Sequence, residues 1–461
     1  MGRSETIYSL LPVWAQNWAC SYYGRREART RYSPFFHEKL QWLQESQFWS
    51  EGDIAAYKDE QVRGIVKHAY ETVPYYRRTF DQRKVKPHDI KGVEDLPKVP
   101  ILTKEEVRAN VCHLVSADYR GSRLMRDHTS GTTGTSLQFF REPEAIAFQW
   151  AVWWRHKARF HVRFNERSAN FSGRPAVPIA QTGPPFWREN SPFNQVVFSM
   201  QHNSPEKIGF IVDRLNEEEF AFYTGYPSTL HSFANCVLDA GVQITSRPRY
   251  VFTGSENLLE DQRALIARVT GAPVTDQYGF AEGCGNASRC KSDVFHEDFE
   301  FGVLECCDPE PLDELGLKRG RIVCTGFAGL AMPFIRYDIG DVAVWDEKPC
   351  SCGLHSNVIR RIDGRAEDFI LTPEGVRIMR LDHLFKDTQA IKESQVVQCV
   401  PGEIDIRVVR RAEYDSKTER MIQSMVRRWV SQTLRVRFVY VDELEREPNG
   451  KIRAVKSYLK T

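Results

Sequence analysis

Apolar residues at positions 36–49 recur every three or four places, which predicts a helix with one buried face. Positions 54–73 repeat that spacing less regularly and predict a second helix. Pro97 and Pro100 lead into Ile101-Leu102-Thr103-Lys104-Glu105-Glu106, a turn followed by a helix start with Thr103 as cap and Glu106 three residues on. Positions 142–159 are dense in apolar and aromatic side chains, Trp150, Trp153 and Trp154 among them, and predict a buried helix. Between 160 and 340 strand-like runs alternate with helical ones. Ala221-Phe222-Tyr223 leads through Gly225-Tyr226-Pro227-Ser228 into a helix ending near Val237. Tyr250-Val251-Phe252 leads through Thr253-Gly254-Ser255-Glu256 into a helix ending near Val269, and Pro273-Val274-Thr275 starts another strand. Strand, polar loop, helix is the signature of a layered α/β domain with its chemistry on the loops.

Beyond Asp368 the pattern changes. β-rich runs at 394–399 and 404–409 flank Pro401-Gly402, a hairpin signal; Met421, Met425 and Trp429 then share one helix face, and 436–441 returns as a strand. The expected organisation is a helical segment over 1–95 packed on the main domain, an α/β domain over 96–367, and a small mobile α+β domain over 368–461.

A chain of 461 residues exceeds what one hydrophobic core usually supports, in agreement with several domains. The hydrophobic fraction, 41%, is that of a globular protein, and a net charge of +2 leaves no electrostatic footprint for nucleic acid. Lys and Arg are interleaved with acids throughout, as on a solvated surface. No apolar run reaches the ~20 residues of a membrane span. Met1-Gly2-Arg3-Ser4-Glu5-Thr6 lacks the apolar core of a secretion signal; it meets the loose myristoylation pattern, which is short and common. Eleven cysteines without an export signal favour reduced thiols or a metal site over disulfides, and a cytoplasmic location.

Five short segments carry the chemistry: Thr129-Ser130-Gly131-Thr132-Thr133-Gly134-Thr135, Tyr278-Gly279-Phe280-Ala281-Glu282, Tyr337-Asp338-Ile339-Gly340-Asp341, Gly364-Arg365-Ala366-Glu367-Asp368 and Asn449-Gly450-Lys451. A loop of glycines and small hydroxyl residues suits polyphosphate, because backbone N–H groups can approach the oxygens closely. It lacks the Gly-Lys-[Ser/Thr] ending of a Walker A loop. In this order the set resembles the superfamily of AMP-forming, adenylate-forming ligases (acyl-CoA synthetases, luciferases, peptide-synthetase adenylation domains) from residue 95 to 455.

The resemblance implies attack of a carboxylate on the α-phosphate of ATP, release of pyrophosphate, and transfer of the acyl group from AMP to an acceptor. It implies that Thr129, Ser130, Gly131, Thr132, Thr133 and Gly134 cradle the phosphates, Thr133 with a catalytic role. Tyr278 and Gly279 would meet adenine, Glu282 would help hold Mg²⁺, and Asp341 would bind the ribose hydroxyls. Arg365 would reach ribose or phosphate; Ser255 and Glu256 complete the nucleotide site. Lys451 would be the mobile catalytic lysine and Asp368 the hinge.

Cys290 and His296, with Cys350-Ser351-Cys352-Gly353 downstream, make a Cys₃His set that fits a structural Zn²⁺; Cys284, Cys306, Cys307 and His355 compete, and buried free thiols are the alternative. This cluster is similar to the phenylacetate–CoA ligase branch. A closer likeness is to capsular polysaccharide biosynthesis relatives, through Gly173-Arg174-Pro175, Val177-Pro178, Pro184-Pro185-Phe186-Trp187-Arg188, Ser199-Met200-Gln201-His202, Gly225-Tyr226-Pro227-Ser228 and His296-Glu297-Asp298. Two departures stand out: Ser136 replaces a frequent proline, and Leu137-Gln138 stands where a lysine is common.

The acyl pocket implied by this likeness lies along 171–198 and at Tyr226 and Pro227. Arg174, Arg188 and His202 would suit an anionic acid, and Trp187, Phe186 and Phe198 an aryl acid; surface ion pairs and a loop histidine are the plain alternatives. The expected acceptor is an amine or hydroxyl in surface polysaccharide biosynthesis, with the coenzyme A thiol as the alternative. A zinc-stabilised, non-catalytic scaffold is the reading from another class. The sequence does not give the oligomeric state.

Overall fold

The computed structural model describes residues 3–128, 137–171, 176–312, 316–365, 369–373, 377–378, 381, 384–385, 390–446 and 452–459. They form a mixed α/β protein that divides into two compact units: residues 1–21, 166–275 and 363–461, and residues 22–165 and 276–362.

In the unit built from 22–165 and 276–362, helices start where the chain supplies caps. Pro34–Ser46 opens with proline in its first turn and buries Phe36, Leu40 and Leu43. Glu51–Thr72 begins at Ser50, whose hydroxyl accepts from the Asp53 N–H at 3.2 Å. Before Lys104–Asn110, the predicted reciprocal cap is present: the Thr103 N–H donates to Glu106 at 2.8 Å, and the Glu106 N–H donates to Thr103 Oγ1 at 3.2 Å. The aromatic run becomes the helix Pro143–Arg159, with Phe148, Trp154, Arg155 and His156 buried. These helices accompany strands Gly302–Pro311, Lys318–Gly326, Tyr337–Asp346, Val358–Arg365, Phe295–Glu297 and Asn286–Arg289, hydrogen-bonded in that order.

Burial of His156 has a consequence for pH. Burial, reinforced by Arg159, Lys157 and Arg155, holds its imidazole well below the usual value of 6.5 and so keeps it neutral. The unfolded chain therefore binds a proton that the folded chain does not, once pH falls below 6.5. Stability from this group is complete above that pH and is lost on acidification, by up to about 1.4 kcal/mol per pH unit. Urea midpoints taken from pH 7.5 to 5 should fall, and His156→Gln should flatten the slope.

In the unit built from 1–21, 166–275 and 363–461, Tyr250–Gly254, Phe222–Gly225, Ser168–Phe171 and Gln195–Phe198 pair in parallel, and Trp187–Asn190 closes the edge antiparallel. Helices Pro227–Asp239 and Glu260–Thr270 follow the first two of these strands as expected. The 394–399 and 404–409 runs are the hairpin Ile391–Gln398 and Glu403–Arg410, in a four-stranded sheet with Arg435–Tyr440 and Val455–Ser457.

The helix Ser416–Trp429 packs on this small sheet through Ile422 and Val426, both fully buried. Met421 is exposed and Met425 half-buried, so the face they share lies one position beside the inward stripe. The strand hairpin is tied to the helix Pro227–Asp239 by charge. Asp239 accepts from Lys392 and from Arg411, each at 2.6 Å; Asn235 donates to the Lys392 carbonyl at 3.0 Å and accepts from Arg411.

Candidate functional site

The strand Val274–Gly279 delivers Tyr278 and Gly279 to a loop that ends at Glu282. The Tyr278 hydroxyl donates to Asp341 Oδ2 at 2.7 Å, and the Tyr337 hydroxyl donates to Glu282 Oε1 at 2.8 Å. Two of the sequence-predicted segments, those of Tyr278 and Asp341, are thus joined directly. Both carboxylates are largely buried, which excludes them from bulk water and strengthens any charge they meet.

Buried polar side chains fix the path of this loop. Gln149 on the helix Pro143–Arg159 donates to the Phe280 carbonyl at 3.0 Å. Asn286 accepts from the Trp153 indole at 3.1 Å and donates to Asp298, which also accepts from Ser288 at 2.6 Å and pairs with Arg155. A β-carbon at Gly279 would lie 2.5 Å from the Asn286 amide oxygen, so only glycine fits there. Sequence reasoning missed Gln149, Asn286 and Arg155 as positioning groups. Only the density of the 142–159 run hinted at them.

The neighbouring acids are paired as well. Glu297 takes Lys58 at 2.8 Å and the Leu304 N–H at 2.7 Å; Glu300 takes Arg155 at 3.2 Å and the Ser46 hydroxyl at 2.6 Å.

In the other unit, the loop after Tyr250–Gly254 holds Ser255 at φ 67°, a left-handed conformation that a residue with a β-carbon adopts at a cost. Glu256 follows, and its two oxygens accept from the Ser228 N–H at 2.9 Å and the Ser228 hydroxyl at 3.0 Å. A carboxylate there meets the positive end of the helix Pro227–Asp239. Tyr226 and Pro227 form that helix start, and Trp187, half-buried, packs at 6.1 Å from the Phe198 ring.

Arg188 is fully buried and donates to Gln16 at 2.7 Å, to Gln181 at 2.7 Å and to the carbonyls of Pro185 and Trp187. That engagement makes it a structural group, neither a substrate anchor nor a surface ion pair. His202 is also inside: its Nδ1 lies 2.8 Å from the Ser199 hydroxyl and its ring stacks on Phe186 at 5.0 Å. Burial pushes its pKa down, as expected of a packed loop histidine.

Cys290, His296, Cys350 and Cys352 converge, with all four donor atoms within 4.8 Å of one another. Cys290 and Cys350 sulfurs are 3.8 Å apart, and Cys352 Sγ lies 3.2 Å from His296 Nε2. Tetrahedral coordination at Zn–S distances of about 2.3 Å requires S···S edges of about 3.8 Å, which the Cys290–Cys350 pair meets. His296 Nδ1 faces the Ser356 carbonyl at 3.2 Å, an arrangement that turns Nε2 towards the thiols as metal-bound histidines require. Burial lowers the His296 pKa to about 4, so the ring is neutral and free to ligate. Cys284, Cys306, Cys307 and His355 belong to no such group among the described residues.

Thr129, Ser130, Gly131, Thr132, Thr133, Gly134, Arg174, Asp368 and Lys451 lie outside the described residues. Arg365 ends the strand Val358–Arg365.

Residues 370–458 match the CapK C-terminal domain family. The chain is 25% identical to Protein CapK of Staphylococcus aureus over 80% of its length and 79% of that protein. It is 36% identical to a phenylacetate-coenzyme A ligase of Pseudomonas putida over 68% of its length and 70% of the relative. Among solved structures, 2-hydroxyisobutyryl-CoA ligase in its postadenylation state aligns with a TM-score of 0.67 at 18% identity, covering 87% of this chain and 90% of that one.

Proposed function

Because the chain belongs to the phenylacetate–coenzyme A ligase family of AMP-forming, adenylate-forming ligases, we propose that it adenylates a small organic acid and passes the acyl group to an amine or hydroxyl of a surface polysaccharide precursor. The observation that carries the acceptor is the match of residues 370–458 to the CapK C-terminal domain, since the 36% relative covers less of the chain than the CapK relative does.

In the first half-reaction, a carboxylate oxygen attacks the α-phosphorus, the bond to the bridging oxygen breaks, and pyrophosphate leaves. We assign Tyr278 to the adenine face and Asp341 to the ribose hydroxyls. The 2.7 Å bond between them supports that pairing, because it fixes ring and carboxylate together. The segment Thr129, Ser130, Gly131, Thr132, Thr133, Gly134 is assigned to the leaving phosphates, and Lys451 to the charge that develops on them. Ser255 and Glu256 act as positioning groups, setting the start of the helix that bears Tyr226 and Pro227. Bound Mg²⁺ would neutralise phosphate charge, with Glu282 as its carboxylate. Trp187 and Tyr226 are the side chains we assign to the acid; His202, held internally, shapes the pocket from behind.

Zinc at Cys290, His296, Cys350 and Cys352 is proposed as structural, because four protein ligands leave no open position for substrate. Cys350→Ser should reduce bound zinc from one per chain to near none and lower Tm by on the order of 5 °C. A variant that keeps its zinc would show that the ligand set is wrong.

A second reading, transfer to the coenzyme A thiol, is supported by the 36% identical phenylacetate-coenzyme A ligase. Pyrophosphate release measured over aryl, fatty and uronic acids, with coenzyme A or an amino or hydroxyl sugar as second substrate, decides between them. Turnover with coenzyme A alone would overturn the polysaccharide reading. Absence of ATP–pyrophosphate exchange with every acid would overturn adenylation itself and leave the scaffold reading.

A further inference from the structure

The helix Val13–Arg31 has its polarity reversed with respect to the protein it sits on. In its first half, uncharged polar residues face inward. Gln16 is buried, accepts from Arg188 at 2.7 Å and donates to the Leu11 carbonyl at 2.8 Å; Asn17 accepts from the Glu189 N–H at 3.0 Å; Ser21 accepts from the Ser191 N–H at 3.2 Å. Its large apolar residues face water. Trp14 is 74% exposed and Trp18 68%, and just upstream Leu10 is 81% exposed and Ile7 63%. Trp14, Trp18, Tyr22, Arg25 and Arg29 recur every three or four positions and so lie on one face of the helix.

Soluble helices bury such a stripe, and a single exposed tryptophan would need no account. Here Trp14, Trp18 and Tyr22 are exposed on one face of a helix held in place by the polar bonds of its other side, and Ile7 and Leu10 are exposed on the short helix before it. The charge pattern says what covers them. No acid occurs between Glu5 and Glu27, and Glu27 is taken by Arg31 at 2.8 Å. Arg25, Arg26 and Arg29 are exposed, with no salt bridge among the described residues. A second copy packed helix against helix on this face would bring to those arginines only Glu27, already paired with Arg31. An anionic surface with an apolar interior answers both halves of the pattern.

We infer that the Trp14–Trp18–Tyr22 face, with the exposed Ile7 and Leu10 upstream and the arginines at 25, 26 and 29, seats the protein on an anionic lipid bilayer, the rings at headgroup depth and the guanidinium groups on the phosphates. This is docking at the interface. No helix among the described residues is long and apolar enough to cross a membrane.

The test is co-sedimentation of the full chain with vesicles of phosphatidylglycerol in phosphatidylcholine, against phosphatidylcholine alone. Wild type should pellet with the anionic vesicles and much less with the neutral ones. Trp14→Ser/Trp18→Ser and, separately, Arg25→Gln/Arg26→Gln/Arg29→Gln should each weaken binding at least about tenfold, with ATP–pyrophosphate exchange unchanged. Salt at about 0.5 M should weaken wild type and spare the remaining binding of the arginine variant. Failure to pellet, or equal pelleting with both vesicle types, would overturn the inference. So would a dimer, seen by light scattering, that the tryptophan variant dissociates, since that face would then be covered by a second copy.

Discussion

Alanine in place of Lys451 is expected to slow acyl-AMP formation by about 10²–10³-fold while ATP still binds. Attack at phosphorus spreads negative charge over the bridging and non-bridging oxygens, and a positioned ammonium meets that charge only as it develops. On the proposed assignment, its removal should lower the rate of the first half-reaction and leave the nucleotide contacts assigned to Tyr278 and Asp341. Single-turnover formation of acyl-AMP, with ATP affinity measured by equilibrium titration, reads the two effects separately. Hydrolysis or aminolysis of preformed acyl-AMP should be affected much less. A Lys451→Ala enzyme with full adenylation activity would remove the lysine from the mechanism, and a variant that no longer binds ATP would give it a binding role instead.

Asp298→Ala should cost about 3–5 kcal/mol of stability. Asp298 and Arg155 are essentially without solvent exposure, so removing the carboxylate strands a guanidinium that water cannot reach. Glu300, which also accepts from Arg155 at 3.2 Å, compensates in part and points to the lower end of that range. A urea titration measures the loss. The companion test is Arg155→Met with Asp298→Ala and Glu300→Gln, which removes all three of these charges and should recover much of the stability, because buried ion pairs owe little to their own attraction once desolvation is counted. Asp298 also accepts from Asn286, whose other face limits Gly279. Loss of Asp298 should therefore raise KM for ATP beyond what unfolding explains. An unchanged KM in the folded fraction would mean that the loop holds its shape without this bond.

These two cases mark what could be read from the chain. Local rules worked where the physics is local. The Thr103–Glu106 cap, the buried helix at Pro143–Arg159 and the hairpin at 391–410 all follow from side chains a few residues apart. Cys290, His296, Cys350 and Cys352 could be picked out as a set across sixty residues because few residue types suit zinc, and the four side chains do converge. Lys58, Arg155, Glu297 and Asp298 were not legible as partners. A sequence shows charges but not which will be dehydrated together, and the motif His296-Glu297-Asp298 gave no sign that its acids are held by helices far upstream. In the helix Ser416–Trp429 the spacing gave a face shared by Met421 and Met425 but not which face is buried. Ile422 and Val426 outcompete the more flexible methionines for the core, and a shift of one position is enough to turn Met421 outward.

Asp239 and Asn235 grip the hairpin at Lys392 and Arg411 through polar, partly wet contacts. Each such pair contributes about 0–1 kcal/mol, and added electrolyte weakens it within a Debye length of about 8 Å. A catch of this kind holds the hairpin without locking it, so a lysine at 451 acting as proposed would leave the first half-reaction at low cost if its domain turns for the second. Ionic strength would then act on that turn through the Asp239 contacts, separately from any effect on how tightly the substrates bind.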